Sequence, residues 1–190
     1  MQPSGSNNGR EGAESPFENE THVRILEVMQ RRPTGYEIHG LSNPGLYIVR
    51  ARISDGSSCK AGDCIETSDG IIGPPSHLRH RDLSSDSSSA LIDVIKESII
   101  NNPDQHLNFF NRANSISLKM HAFQLLPGVG KSTAQDWVKK RGPNGWFDLE
   151  DVSKKLDVDA PLLLAERYEM EIKDPSESPS LLELLVRSQP

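Results

Sequence analysis

The apolar positions change period part-way along the chain. Val23, Ile25, Leu26, Val28 and Met29 form a β-compatible run that Arg31-Arg32-Pro33-Thr34-Gly35 stops, and 46–53 (LYIVRARI) forms a second, rich in β-branched residues. Asp55-Gly56 then marks a loop, Lys60-Ala61-Gly62-Asp63 leads into Cys64-Ile65-Glu66-Thr67, and Asp69-Gly70 turns the chain into Ile71-Ile72. That spacing predicts a meander of short antiparallel strands closing into a small barrel. From Pro74-Pro75 to Ser89 the sequence reads as a Ser- and Asp-rich connector.

A helical period follows. Leu91, Ile92, Val94, Ile95, Ile99 and Ile100 predict an amphipathic helix, with Ser87 to Ser89 as N-cap candidates and an end near Asn101-Asn102-Pro103. Pro103-Asp104 opens another helix carrying Leu107, Phe109 and Phe110, and a third is expected from about Ser117 to Leu125, with Leu118, His121, Ala122 and Leu125 on one side. Helices near 148–156 and 161–170 precede a Pro/Ser linker and a terminal LLELLVR. The fold class expected is α+β: a small N-terminal antiparallel barrel and a helical domain. The divisions are 1–20 as a disordered tail, 21–86 as the β-rich domain, 87–173 as the helical domain, and 174–190 as linker and short helix.

Length and composition narrow the class. The chain has 190 residues, 35% hydrophobic, with two cysteines and a formal net charge of −6. No run approaches the ~20 apolar residues of a membrane span, and the first twenty positions lack the apolar core of a signal peptide, so a cytoplasmic protein with no membrane partner is expected. The charge is uneven. Positions 1–111 carry 10 basic and 15 acidic residues, 112–142 carry 6 and 1, and 143–190 carry 5 and 11. A basic segment between acidic ones suits a local polyanion-binding patch, because attraction follows the local field more than the net charge.

Within that segment lies Phe123-Gln-Leu-Leu-Pro-Gly-Val-Gly-Lys-Ser-Thr-Ala-Gln-Asp-Trp-Val-Lys-Lys-Arg141. Pro127 ends a helix, because it lacks the N–H that a continuing helix needs. Gly128 and Gly130 permit tight turns and leave no Cβ between backbone amides and an approaching phosphate. Val129 can pin the turn to the core, and Ala134 allows close helix crossing. The amides at the start of the next helix would face an anion, with Lys131 adding a charge and Ser132 and Thr133 adding hydroxyl donors. Lys139, Lys140 and Arg141 extend the basic surface. This stretch resembles the helix-hairpin-helix motif of DNA- and RNA-binding proteins, spanning about 117–141. It is not a phosphate-binding P-loop, since the glycines follow a helix and the spacing differs.

DNA glycosylases of the endonuclease type carry a similar hairpin but place a Lys directly before the Thr, where this chain has Ser132, and they hold an iron–sulfur cysteine cluster that this chain lacks. Over most of its length the chain is similar to an uncharacterised, mainly archaeal family with an N-terminal oligonucleotide-binding-fold-like (OB-like) β domain and a C-terminal helix-hairpin-helix. The residues carrying that resemblance are 47–53, Gly62-Asp63-Cys64-Ile65, Phe109-Phe110-Asn111-Arg112-Ala113, the hairpin 125–141, and 147–152. The resemblance implies nucleic-acid binding and lends no enzymatic activity.

Other constellations change this little. Cys59, Cys64, His77 and His80 approach a zinc-finger spacing, but the last gap is two residues and Pro74-Pro75 interrupts it, so no metal or other cofactor is expected. His77-Leu-Arg-His-Arg81 is a short basic cluster, and Arg50 and Arg52 share one strand face opposite Tyr47. Leu181, Leu184 and Leu185 could pack in cis or dock on a protein partner, which leaves an adaptor of a DNA- or RNA-processing assembly as the rival to direct binding of a DNA or RNA backbone. No catalytic constellation emerges, so a non-enzymatic role is expected.

Overall fold

A computed structural model describes residues 17–57 and 59–187. The fold is α+β. Five strands, β1 (His22–Gln30), β2 (Tyr36–Asn43), β3 (Ile48–Ile53), β4 (Cys64–Glu66) and β5 (Ile72–His77), form an antiparallel sheet in the order β4-β1-β2-β3-β5. The sheet curls into a half-barrel with β4 and β5 as its edges, so the closure expected from the strand spacing is not reached. Helices α1 (Ser85–Asn101), α2 (Pro103–Arg112), α3 (Lys131–Arg141), α4 (Leu149–Leu156) and α5 (Ala160–Lys173) follow, with a two-stranded hairpin, β6 (Ser115–Ser117) and β7 (Met120–His121), between α2 and α3.

Each face of the sheet buries its own apolar set. Val23, Ile25, Ile38, Val49, Ala51 and Ile53 fill the hollow of the half-barrel. Leu26, next to Ile25, faces the other way and joins Leu41, Leu46, Ile48 and Leu78 in the core shared with the helices, and a register shift between Ile25 and Glu27 returns Val28 to the side of Val23 and Ile25. In that core Phe110, Phe123, Val152, Leu164 and Tyr168 have no exposed surface.

Several expected boundaries shift for physical reasons. β2 lies inside a segment with no strong apolar signal, since its buried positions include Gly40 and Ser42. β5 runs through Pro74-Pro75, tolerated because an edge strand can spare a proline's missing N–H. The expected connector to Ser89 is therefore shorter. Helix α1 begins at Ser85, capped by Ser84, whose hydroxyl accepts from Ser87 N–H and donates to Glu27 of β1 at 2.7 Å.

The helix expected over 117–125 does not form. β6 and β7 occupy its first half, and a single 3-10 turn, Ala122–Leu125, its second. His121 is extended and caps that turn, its Nδ1 accepting from Phe123 N–H while Gln124 Oε1 accepts from His121 N–H, so the helical geometry cannot continue backwards.

Positions 1–16 of the expected tail lie outside the described residues. Phe17 meets Tyr47 edge-on at 5.7 Å, and both carboxylate oxygens of buried Glu20 accept from Gly45 N–H, so 17–20 belong to the fold. At the other end Leu181, Leu182 and Val186 are buried in the shared core.

Candidate nucleic-acid interface

The 3-10 turn, the loop 126–130 and α3 form one corner of the helical layer. Leu126 and Val129 are buried, and Val129 N–H donates to Leu126 carbonyl at 3.2 Å, closing the loop. Gly128 takes φ +73, the left-handed region that a side chain resists, so the turn favours glycine here. Gly130, in contrast, is extended at φ −81 and serves as the N-cap of α3. A Cβ at either position would meet nothing within 4 Å, so both backbones face open space.

No side chain caps α3, and its first turn contains no acidic residue. The unpaired first-turn N–H groups therefore point outward with the positive end of the helix dipole. Lys131, Ser132 and Thr133 are all exposed around them, while Ala134 and Trp137 turn into the core. The six consecutive residues from Gly128 to Thr133 are thus brought together, with Val129 as their anchor.

The three basic residues at the far end of α3 divide. At about 1.5 Å rise per residue, Lys139 lies roughly 12 Å along the axis from Lys131. Lys139 is exposed and makes no ion pair among the described residues, whereas Lys140 Nζ lies 3.1 Å from Asp136. Arg141 turns inward. Its guanidinium donates to Phe110 and Ala113 carbonyls at 3.2 and 2.6 Å and lies over the Phe123 ring, so it ties α3 to α2 and is a structural residue. Burial, and then the Arg141 charge, lower the pKa of His121, in keeping with the neutral ring that caps the 3-10 turn.

Two residues that the helical period placed in a helix, Leu118 and Lys119, instead line this corner. The β6–β7 hairpin leans beside α3, and between them lies a groove of about 540 Å³ lined by Leu118, Lys119, Lys131, Gln135 and Lys139 among others, with no acidic side chain. The turn Leu118-Lys119 was concealed by its assignment to a helix; an Ser-Ile-Ser run ahead of it was the available signal.

The connection from α4 to α5 shares with this loop a left-handed residue two places before a helix N-cap, but has opposite chemistry. Asp157 has φ +57 where Gly128 has +73, and Asp159 is the extended N-cap where Gly130 stands. Leu163 N–H donates to Asp159 carbonyl at 3.0 Å, as Ala134 N–H does to Gly130 carbonyl at 2.9 Å. Here, however, the helix start is occupied by the chain itself: Asp159 carboxylate accepts from Leu162 N–H at 3.0 Å and from Lys96 Nζ at 2.5 Å.

The remaining candidates do not converge. Cys59, Cys64, His77 and His80 form no cluster, and among the described residues no three His, Cys, Asp or Glu side chains come together as a metal site. His80 Nε2 instead meets Ser88 Oγ at 3.1 Å. Arg50 and Arg52 are exposed on β3, opposite Val49 and Ala51. No helix among the described residues is long and apolar enough to cross a membrane. Leu181 is buried, Leu184 is exposed, and Leu185 is half-buried.

A family model described as a protein of unknown function (DUF655) matches residues 47–181, which include the strand β3, every helix from α1 to α5 and the whole basic corner. The chain belongs to the DUF655 family. A crystal structure from the same family, Af1531 of Archaeoglobus fulgidus, superposes with a TM-score of 0.77 at 23% identity, covering 86% of this chain and 99% of that one. The uncharacterised protein MJ0038 of Methanocaldococcus jannaschii is 23% identical over 97 residues, 51% of this chain and 45% of MJ0038, so the chain matches about half the length of that relative. The DUF655 fold is therefore shared with archaeal proteins.

Proposed function

We propose that this protein is a non-enzymatic nucleic-acid-binding protein that grips the phosphate backbone of DNA or RNA, largely without regard to sequence, through a helix-hairpin-helix-like corner in which the 3-10 turn Ala122–Leu125 stands for the first helix and α3 is the second, beside an OB-like β domain. The observation that carries this reading is the open start of α3: amides with no side-chain cap, two exposed glycines without Cβ atoms in front of them, and Lys131 alongside. Backbone amides aimed at phosphates read no base edges, hence the lack of sequence preference. The segment's excess of basic residues supplies steering within an otherwise acidic chain.

Gly130→Asp tests this reading cleanly. The position is extended and a Cβ there is unobstructed, so the variant incurs no left-handed strain. An Asp N-cap should hold or raise the melting temperature, since its carboxylate accepts from first-turn N–H groups. The same carboxylate occupies the phosphate position, so binding to labelled DNA and RNA should be abolished in a protein as stable as the parent. Unchanged binding by folded Gly130→Asp would overturn the proposal and favour the adaptor role.

A further inference from the structure

The β6–β7 hairpin presents an apolar residue in an unusual place. Tight turns favour Gly, Asn, Asp, Pro and Ser, yet here the turn is Leu118-Lys119, and neither residue has a positive φ. Ser117 Oγ accepts from Lys119 N–H at 3.3 Å and so fixes the tip. Leu118 is exposed to 107% of its reference area, the highest among the large apolar residues described. It stands at the rim of the groove that Lys119, Lys131 and Lys139 line, and none of these three makes an ion pair among the described residues.

An apolar tip ringed by free cations complements one surface in particular. A duplex minor groove has phosphates along both edges and a floor of stacked bases, and proteins that enter it insert Leu, Phe, Ile or Met between base steps. We infer that Leu118 is such a wedge: with a phosphate held at the start of α3 and Lys119 and Lys139 on flanking phosphates, the hairpin tip enters the minor groove of a duplex, parts one base step and kinks the helix. This inference rests on the phosphate-grip reading above and names its ligand as double-stranded nucleic acid. It divides the labour of the corner, with lysines and amides supplying salt-dependent affinity and Leu118 supplying salt-independent affinity and deformation.

The full chain is titrated against a short DNA duplex carrying 2-aminopurine at its centre and a fluorophore pair at its ends, at several salt concentrations, for the parent, Leu118→Ala and Gly130→Asp. The parent should raise 2-aminopurine fluorescence as the base unstacks and shorten the end-to-end distance. Leu118→Ala, altering a fully exposed turn residue, should keep the parent's melting temperature and salt slope, bind about tenfold more weakly through loss of one leucine's burial, and cause neither optical change. If the parent binds in a salt-dependent manner that Gly130→Asp abolishes, yet neither unstacks the duplex nor differs from Leu118→Ala, the wedge is wrong and the phosphate grip stands. If the parent binds neither this duplex nor labelled RNA in a salt-dependent manner, both fall together; if it binds only RNA, the wedge falls and the phosphate grip stands.

Discussion

The buried carboxylate of Glu171 and the guanidinium of Arg167, one helical turn apart on α5, face each other at 2.6 Å and together hold the end of the chain. Oε1 also accepts from Leu181 N–H, and Oε2 from Leu182 N–H and Ser180 Oγ, while Arg167 donates to Pro179 carbonyl. The pair is thus a clamp whose outer contacts lie in 177–182, with Glu177 carboxylate 3.5 Å from Arg167. Glu171→Ala should destabilise the fold by about 3 kcal/mol, because it leaves buried Arg167 with only the more exposed Glu177 as counter-charge and orphans two N–H groups. In denaturant unfolding, Arg167→Ala should cost a similar amount, and the double variant should cost clearly less than the two together.

The same terminal segment is pinned to the sheet. Arg187 lies 4.1 Å from the Tyr47 ring centroid and donates to the carbonyls of Gly45 and Leu46 at 3.0 and 3.2 Å. Arg187→Ala should lower unfolding free energy by roughly 1 to 2 kcal/mol. Arg187→Lys should recover little of it, since an ammonium cannot both stack on the ring and fork between two carbonyls. Chemical denaturation of the three proteins checks the order.

His106 sets a pH dependence of stability. Burial lowers its pKa from 6.5 to about 4, and the tautomer that satisfies both neighbours donates from Nδ1 to Tyr168 Oη at 3.0 Å while Nε2 accepts from Gln105. The unfolded chain takes up the proton at higher pH than the folded one. Its contribution is therefore complete above pH 6.5 and is lost as pH falls toward 4, amounting to roughly 3 kcal/mol. Thermal melts of the parent and His106→Gln between pH 7.5 and 4.5 should show a shallower decline in the variant.

Three cations on α3 should separate by assay. Lys131→Ala should shrink the slope of log affinity against log salt by about 1. Lys140→Ala should shrink it less, because Lys140 is already paired with Asp136. Arg141→Ala should instead lower the melting temperature, since its partners are the Phe110 and Ala113 carbonyls. Parallel melting and salt-titration measurements assign each role.

Where side-chain type and local geometry agreed, the sequence was readable. The β-branched runs of β1 and β3, the start of α2 at Pro103 and the helix near 148–156 follow from residue type alone. β2 was hidden because a strand buried through close backbone approach needs small residues instead of large ones: a Cβ at Gly40 would meet the Arg24 carbonyl oxygen at 2.7 Å. The α1 cap moved to Ser84 because Glu27, 57 residues earlier, fixes that serine, a contact no local window contains. At the corner, the glycines and Lys131 were legible as a group, while the inward turn of Arg141 depends on carbonyls 28 and 31 residues away. Leu118 and the period through Leu125 mimicked a helix, and the capping residue in the middle of that period decided otherwise.

The two matching loops of the helical layer also give the molecule a direction. One begins a helix with empty amides and a lysine; the other begins a helix with its own carboxylate already seated and tethered to Lys96. Under the phosphate-grip reading an anion therefore meets an open helix start at one loop and a filled one at the other, which confines the grip to the α3 corner.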